Sequence, residues 1–311
     1  MRRLWVLILL VCVLMTSPAA AGEPLTLMLD WFPNVDHLPI YVAREKGYFR
    51  EAGIDLKILS PSDTADALKL AIAGRVDLAV SYEPQTIIAA AEGLEVRVVG
   101  RLIAHPLTTL LFLKAQGFKT PSDLNGRTIG YTVPGLMDVL MRAFARINGI
   151  ENYRLVNVGF TIVPALTSGQ VDAVMGPFKT YETVTMAARG IEADYFELER
   201  WGIPDYDELV FICGPDGLAK KKEAIKGFAA AVARGIAFQQ ENAEEALALY
   251  LKAVPEADKE TETAAYRLTR PYYAVRQDLD ADRWQHFSDF ALKYGLIPRA
   301  VDVKPLLVEW E

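Results

Sequence analysis

The chain has 311 residues, 51 % of them hydrophobic, with 33 Lys and Arg against 40 Asp and Glu for a formal charge of −7. A nucleic-acid binder needs a basic footprint, and no Lys/Arg-rich block supplies one; Lys220-Lys221-Lys222 reads as the solvated first turn of a helix. The two cysteines are Cys12 and Cys213, too few for a disulfide framework or a cysteine-rich metal centre.

The N-terminus carries Arg2 and Arg3, an apolar run from Leu4 to Met15, and Ala19-Ala20-Ala21. Charge, short apolar run and small residues in that order are a secretory signal peptide, too short to cross a bilayer as a helix. Residues 1–21 are therefore expected to be a cleaved leader and the mature chain to be periplasmic. Cys12 lies inside the run without the small residues of a lipid-attachment site, and removal of the leader leaves Cys213 alone. Residues 22–311 are enough for two domains, each with its own core.

The first element is a strand, Leu25–Leu29, and it runs into Asp30-Trp31-Phe32-Pro33-Asn34-Val35-Asp36-His37. An acid, an indole, a carboxamide and an imidazole at one strand end form a set suited to a flat polar ring, and in open α/β sheets ligands sit beyond the carboxyl ends of strands. The plainer alternative is that Trp31 and Phe32 plug a lobe while Asp30 and Asn34 cap turns. Pro39 suits a first helical turn, with Asp36 or His37 as the cap. Further strands are expected at Ile54–Leu59, Val76–Val80, Val96–Leu102 and Leu110–Leu113, with helices at Pro39–Phe49, Ala65–Ala73 and Pro84–Glu92. Such alternation marks parallel βαβ units.

A second series follows, with strands at Thr128–Tyr131, Arg154–Val158, Val171–Met175 and Tyr195–Leu198 and helices at Leu136–Asn148, Val163–Ser168 and Tyr181–Arg189. The stretch from Ala67 through Gly74-Arg75-Val76-Asp77 to Tyr82-Glu83 is echoed from Ala165 through Gly169-Gln170-Val171-Asp172 to Tyr181-Glu182. Each copy is helix, glycine stop, Val-Asp turn, buried strand and polar groups at the strand end. Ser81, Tyr82 and Glu83 thus match Gly176, Phe178, Tyr181 and Glu182 across a cleft. The Tyr131–Gly135 loop precedes a helix, so Thr132 and Gly135 either receive a ligand oxygen or form a plain turn. Lys179 either meets an anionic ligand group or points to water.

After Val210–Cys213 the chain turns helical, over Glu223–Gln240, Ala243–Ala253, Asp258–Pro271 and Asp282–Tyr294. Phe228, Val232 and Ile236, three to four apart, require a surface already built, and the first lobe is the expected host. The chain then crosses between lobes twice, near Thr108–Leu113 and Leu209–Gly214. The expected division is lobe 1 at residues 22–108 plus 212–311 and lobe 2 at 109–211, hinged by two strands and closing on a ligand.

Asp30-Trp31-Phe32-Pro33-Asn34 with His37, then Tyr41-Val42-Ala43-Arg44-Glu45-Lys46-Gly47-Tyr48-Phe49 and Gly53-Ile54-Asp55, resemble periplasmic solute-binding proteins of ABC importers. The Asp-Trp-x-Pro-Asn-x-x-His element is narrower and resembles the branch shared by formylaminopyrimidine-binding proteins and thiamine-pyrimidine synthases. That resemblance implies an α/β type II periplasmic-binding-protein fold, with an aminopyrimidine held between lobes by stacking and carboxylate hydrogen bonds. It places Trp31, Asn34 and His37, beside Asp30, in one wall and Tyr181 with Glu182 in the other. It also implies a monomer, without a cofactor, that hands its ligand to a membrane permease. Other ligands in view are riboflavin, an alkanesulfonate or another small anion. The rival class is a pyridoxal-phosphate-consuming synthase, whose Cys-Cys-Cys-Phe-Cys iron site this chain lacks. His37, His105 and His286 form no local metal motif, and no Gly-x-Ser-x-Gly elbow is present.

Overall fold

A computed structural model of the chain describes residues 22–310; the leader expected at residues 1–21 lies outside the described residues. The chain opens with β1 (Glu23–Met28), α1 (Leu38–Glu45), α2 (Tyr48–Glu51), β2 (Ile54–Leu59), α3 (Asp66–Ile72), β3 (Leu78–Ser81), α4 (Glu83–Ala91) and β4 (Arg97–Ile103). It continues through β5 (Thr108–Leu113), β6 (Thr128–Tyr131), α5 (Met137–Asn148), β7 (Arg154–Asn157), α6 (Ile162–Thr167), β8 (Ala173–Phe178), α7 (Glu182–Ala188) and β9 (Ala193–Glu197). It ends with β10 (Leu209–Cys213), α8 (Pro215–Glu241), α9 (Ala243–Ala253), α10 (Lys259–Thr269) and α11 (Ala281–Tyr294). No helix among the described residues is long and apolar enough to cross a membrane.

The strands form two five-stranded sheets, ordered β2-β1-β3-β10-β4 and β7-β6-β8-β5-β9. β1 pairs in parallel with β2 and β3, and β6 with β7 and β8. Each sheet also contains one reversed strand: β10 is antiparallel to β3 and β4, and β5 to β8 and β9. These are the strands that directly follow each crossing between sheets. The Leu110–Leu113 and Leu209–Cys213 runs are therefore sheet members, and the crossings themselves fall just before them, at residues 104–107 and 203–208.

The sequence echo has a physical basis. The Asp77 carboxylate accepts from both the N–H and the hydroxyl of Thr26 at 2.8 Å, tying the entrance of β3 to β1. Asp172 accepts from the Thr128 N–H at 2.8 Å and ties β8 to β6 in the same way. Because the aspartates spend their side chains on the neighbouring strand, β3 and β8 begin after the Val-Asp turns.

The helical tail packs on the first lobe, as its apolar spacing requires. Phe228 is buried between Phe49, stacked at 5.6 Å, and Phe211, edge-on at 5.0 Å, each ring contributing roughly 1.5–3 kcal/mol by burial. α8 lies so close on α1 that a Cβ at Gly235 would stand 2.2 Å from the Pro39 carbonyl oxygen. The helix begins at Pro215, earlier than expected, and kinks at Lys221. The Lys221 ammonium donates to the Pro24 carbonyl at 2.7 Å and meets Asp77 at 2.8 Å, so it is a strut between elements and not a solvated first turn.

Buried polar groups tie the two crossings together. Glu208 accepts from the Leu107 and Thr108 N–H groups at 2.6 and 2.7 Å and from the Thr108 hydroxyl at 2.7 Å. Beside it, Asp207 accepts from Arg101 at 2.6 Å, Arg283 at 2.9 Å and the Trp284 indole at 3.0 Å. Both carboxylates are buried.

Candidate functional site

A cleft of about 370 Å³, counting its open mouth, lies between the sheets at the carboxyl ends of β1, β3, β6 and β8. This is where the topology directs a ligand. The lobes touch around it. The Thr64 hydroxyl donates to the Thr132 carbonyl at 2.7 Å, the Tyr181 hydroxyl donates to Glu262 at 2.9 Å, and Trp31 meets Phe160 edge-on at 4.5 Å.

The first-lobe wall is organised from the turn after β1. Asn34 Oδ1 accepts from the Asp36 N–H at 2.8 Å and caps the 3-10 turn Val35–His37. The Asn34 N–H faces His37 Nδ1 at 3.4 Å. A backbone N–H only donates, so Nδ1 is the acceptor and Nε2 carries the proton that it gives to Asp30 Oδ1 at 2.9 Å. The other oxygen of Asp30 accepts from the Tyr82 hydroxyl at 2.7 Å. Asp30, His37 and Tyr82 are thus a buried chain that holds the loop, with both imidazole nitrogens engaged by protein. His37 occupies the N-cap position of α1, as one of the two expected residues, but makes no side-chain capping hydrogen bond there.

The second-lobe wall is made by the end of β8 and the start of α7. Gly176 has φ +124°, and a Cβ there would lie 2.0 Å from Thr132 Oγ1, so only glycine lets the Thr132 side chain settle over the strand. Glu182 accepts from the Phe178 N–H at 2.7 Å. Its carboxyl is pushed up to about 7, by burial foremost and by the Asp30 charge in addition, against the pull of that N–H.

Of the thirteen residues singled out in the sequence, the structure gathers Asp30, Trp31, Asn34, His37, Tyr82, Thr132, Gly176, Phe178, Tyr181 and Glu182 around the cleft. Three lie elsewhere. Ser81 is buried and donates to Gln85 at 2.9 Å. Glu83 is fully buried beneath the return crossing, where it accepts from the Asp207 N–H at 2.7 Å. The Gly135 N–H is taken by Asp138 at 2.7 Å at the start of α5, the plain-turn alternative. Lys179 reaches neither ligand space nor water. It is buried with Glu197 at 3.2 Å and Glu199 at 2.7 Å.

Residues not singled out also build the site. Ile162 and Leu209 line it, and Phe160 packs on both Trp31 and Phe32 at 4.5 Å to close the mouth. Asp36 lines it while only 1 % exposed. Its Oδ1 accepts from the Thr269 hydroxyl at 3.1 Å, and its Oδ2 is buried with no hydrogen-bond partner among the described residues. Its carboxyl is held well above the usual range by burial first, then by Glu182, Asp30 and Glu262. Glu262, from α10, accepts from the Val35 N–H at 2.9 Å on the first lobe and from Tyr181 on the second. Burial raises it to about 7, against both of those hydrogen bonds. Asp36 was visible in the octapeptide but read as a cap; Glu262 stands 227 positions from Val35, and nothing local marks it. Among the described residues no lysine or arginine lines the cleft, and no group of three or more His, Cys, Asp or Glu is placed to hold a metal.

The family model described as NMT1/THI5 like matches residues 34–246. A Haemophilus influenzae protein named for thiamine biosynthesis is 37 % identical over 96 % of both chains. A formylaminopyrimidine-binding protein of Halalkalibacterium halodurans is 34 % identical over 78 % of this chain and 74 % of its own. A 4-amino-5-hydroxymethyl-2-methylpyrimidine phosphate synthase of Legionella pneumophila is 28 % identical over 89 % of each. Among solved structures, a Candida albicans protein with the generic periplasmic-binding-protein fold superposes with a TM-score of 0.74 at 17 % identity, covering 92 % of this chain and 96 % of its own. The alkanesulfonate-binding protein of Xanthomonas axonopodis does so with 0.72 at 15 %, covering 93 % and 99 %. With two five-stranded mixed α/β sheets and two crossings, the chain has the periplasmic-binding-protein fold, and it belongs to the NMT1/THI5-like family.

Proposed function

We propose that this protein is the extracytoplasmic substrate-binding component of an ABC importer. It closes on a small heteroaromatic, a thiamine-precursor pyrimidine such as formylaminopyrimidine, and presents it to a membrane permease. The observation that carries this reading is the composition of the cleft. Trp31, Tyr82, Phe178 and Tyr181 supply ring faces, Asp36 and Glu182 supply carboxyls, and no cationic side chain is present. A flat ring with exocyclic amino groups satisfies both sets. Asn34 adds a carboxamide whose oxygen is committed to the turn, leaving its N–H groups to meet a ring nitrogen. The relative named for formylaminopyrimidine binding and the leader-like N-terminus support the same reading. Closure is favoured because only the closed cleft lets both walls touch the ligand.

The relative named as a pyrimidine phosphate synthase favours a second reading, an enzyme that consumes pyridoxal phosphate. The cleft residues fit that group poorly. A phosphate dianion would face Asp36 and Glu182 without a lysine or arginine to meet it, and His37 has both nitrogens engaged. Anionic ligands such as alkanesulfonates meet the same objection.

A thermal-shift screen of the chain from Gly22 onward against formylaminopyrimidine, 4-amino-5-hydroxymethyl-2-methylpyrimidine, thiamine, riboflavin, pyridoxal phosphate and alkanesulfonates, with calorimetry on every hit, tests this reading. A ligand at 100 times its Kd adds about 2.7 kcal/mol to stability. A shift with pyrimidines is the expected result. Shifts confined to sulfonates or riboflavin overturn the ligand, and turnover of pyridoxal phosphate overturns the binding role.

A further inference from the structure

Asp36 presents an unusual combination for a wall residue. One carboxyl oxygen is paired with Thr269, the other is buried without a partner among the described residues, and the residue borders the space assigned to the ligand. An unpaired buried carboxyl oxygen is costly, and a charged one more so. The surroundings deepen that cost. Glu182 from α7, Glu262 from α10 and Asp30 from the turn after β1 all place negative charge against it. The nearby phenols of Tyr181, Tyr250 and Tyr273 are neutral, held above their ordinary range by burial. The neighbouring His37 imidazole donates its Nε2–H hydrogen bond to Asp30, and among the described residues the lining offers no lysine or arginine. In the closed cleft, therefore, Asp36 has every reason to hold a proton and no protein acceptor for its Oδ2.

We propose that Asp36 Oδ2 and a ring nitrogen of the bound heteroaromatic share one proton, so that closure on the ligand takes up a proton from solvent. Aminopyrimidine ring nitrogens are weak bases, able to accept a hydrogen bond from a carboxylic acid or to carry the proton themselves toward a carboxylate. Either placement satisfies Oδ2 and adds no net negative charge to the acidic wall. The proton enters from solvent as the cleft closes and returns when it opens; no other bond is made or broken. The idea rests on the pyrimidine-binding reading above, and it sets a charge rule for that site: neutral weak bases and their cations are accepted and anions excluded.

Calorimetry of 4-amino-5-hydroxymethyl-2-methylpyrimidine binding, in buffers of different ionisation enthalpy from pH 5.5 to 9, counts the protons directly. Uptake approaching about one proton per ligand on the alkaline side, with Kd rising toward tenfold per pH unit there, is the expected result. Asp36→Asn donates a hydrogen bond without a titratable proton, so it should bind the neutral base with little uptake and a flat profile. The proton count of the parent needs no variant and stands if Asp36→Asn fails to fold. Tight binding without proton uptake, or equal uptake by Asp36→Asn, overturns the shared proton while leaving the pyrimidine reading intact. No pyrimidine binding at all overturns both.

Discussion

Glu83 and Glu182 stand at equivalent places in the two lobes. Each follows a tyrosine, opens the helix after a buried strand, and belongs to the same repeated sequence pattern. Their fates differ because of what covers them. The return crossing passes over Glu83 and takes its Oε2 with the Asp207 N–H, while Glu182 turns inward on Phe178 and faces the cleft. A repeat fixes where a side chain leaves the sheet; the chain that later packs above it decides whether that place is a hinge or a ligand wall. The carboxylates follow the same division. At the hinge, Asp207 is met by two guanidiniums and an indole, although Glu83 beneath it keeps an Oε1 without a partner among the described residues; in the cleft Asp36 has one hydroxyl on Oδ1 and likewise an Oδ2 without a partner there.

The hinge offers the strongest way to break this contrast. Asp207→Ala leaves Arg101, Arg283 and the Trp284 N–H buried around an emptied position, and removing one member of such a network costs about 3–5 kcal/mol. Chemical denaturation should report a loss of that size. A loss below about 1 kcal/mol would mean that water replaces the carboxylate, and the hinge would then be no better satisfied than the cleft.

A second test uses pH. Glu182, Glu208 and Glu262 are each raised from the ordinary 4.5 to about 7, in every case by burial first. A carboxyl that titrates higher in the folded state binds more protons there than when unfolded. Its contribution is therefore complete below about pH 4.5 and lost as pH rises through 7. Asp77, lowered despite burial by Lys221 and Thr26, works in the opposite direction and loses its contribution only in stronger acid. The melting temperature should thus peak in mild acid and fall toward neutrality. For Glu208 alone the expected loss is on the order of 3 kcal/mol. Glu208→Gln should flatten the fall; a slope unchanged in the variant would assign it to the cleft carboxylates instead.

Much of this architecture was legible in the sequence, and the reason is local chemistry. The βαβ alternation, the Val-Asp repeat and the apolar spacing of Phe228, Val232 and Ile236 are each read within one element, and each has a contact that accounts for it. The Asp30–His37 motif is likewise contiguous, so its place at a strand end followed directly. What escaped depends on pairings between distant parts of the chain. The burial of Glu83 needs Asp207, the pairing of Lys179 needs Glu197 and Glu199, and the role of Glu262 needs both Val35 and Tyr181. Asp36 escaped for a different reason: a cap and a site residue have the same composition there, and only the Thr269 contact and the unpaired oxygen separate them.

In the cleft, expected effects are smaller. Trp31→Ala should weaken pyrimidine binding by about 1 kcal/mol or more, through lost stacking and an opened mouth. Phe160→Ala, which removes only the opposing ring at the mouth, should cost less. Equal binding by Trp31→Ala and the parent would show that the indole neither stacks on the ligand nor helps hold the lobes closed.

The finest comparison lies between two hydrogen bonds that join the lobes, Tyr181 to Glu262 at 2.9 Å and Thr64 to the Thr132 carbonyl at 2.7 Å. Both should help closure, at about 0.5–1.5 kcal/mol each. They differ in that Tyr181 lines the cleft and Thr64 does not. Thr64→Val therefore measures closure alone, and a several-fold rise in the pyrimidine Kd is expected. Tyr181→Phe keeps the ring face but removes the latch, while Glu262 stays held by the Val35 N–H. If stacking and the latch are separate roles, Tyr181→Phe should match Thr64→Val within a factor of about two, because the ring remains. A markedly larger loss would mean that the Tyr181 hydroxyl also contacts the ligand, making Glu262 a residue that orients a ligand group from behind and not simply a tie between lobes.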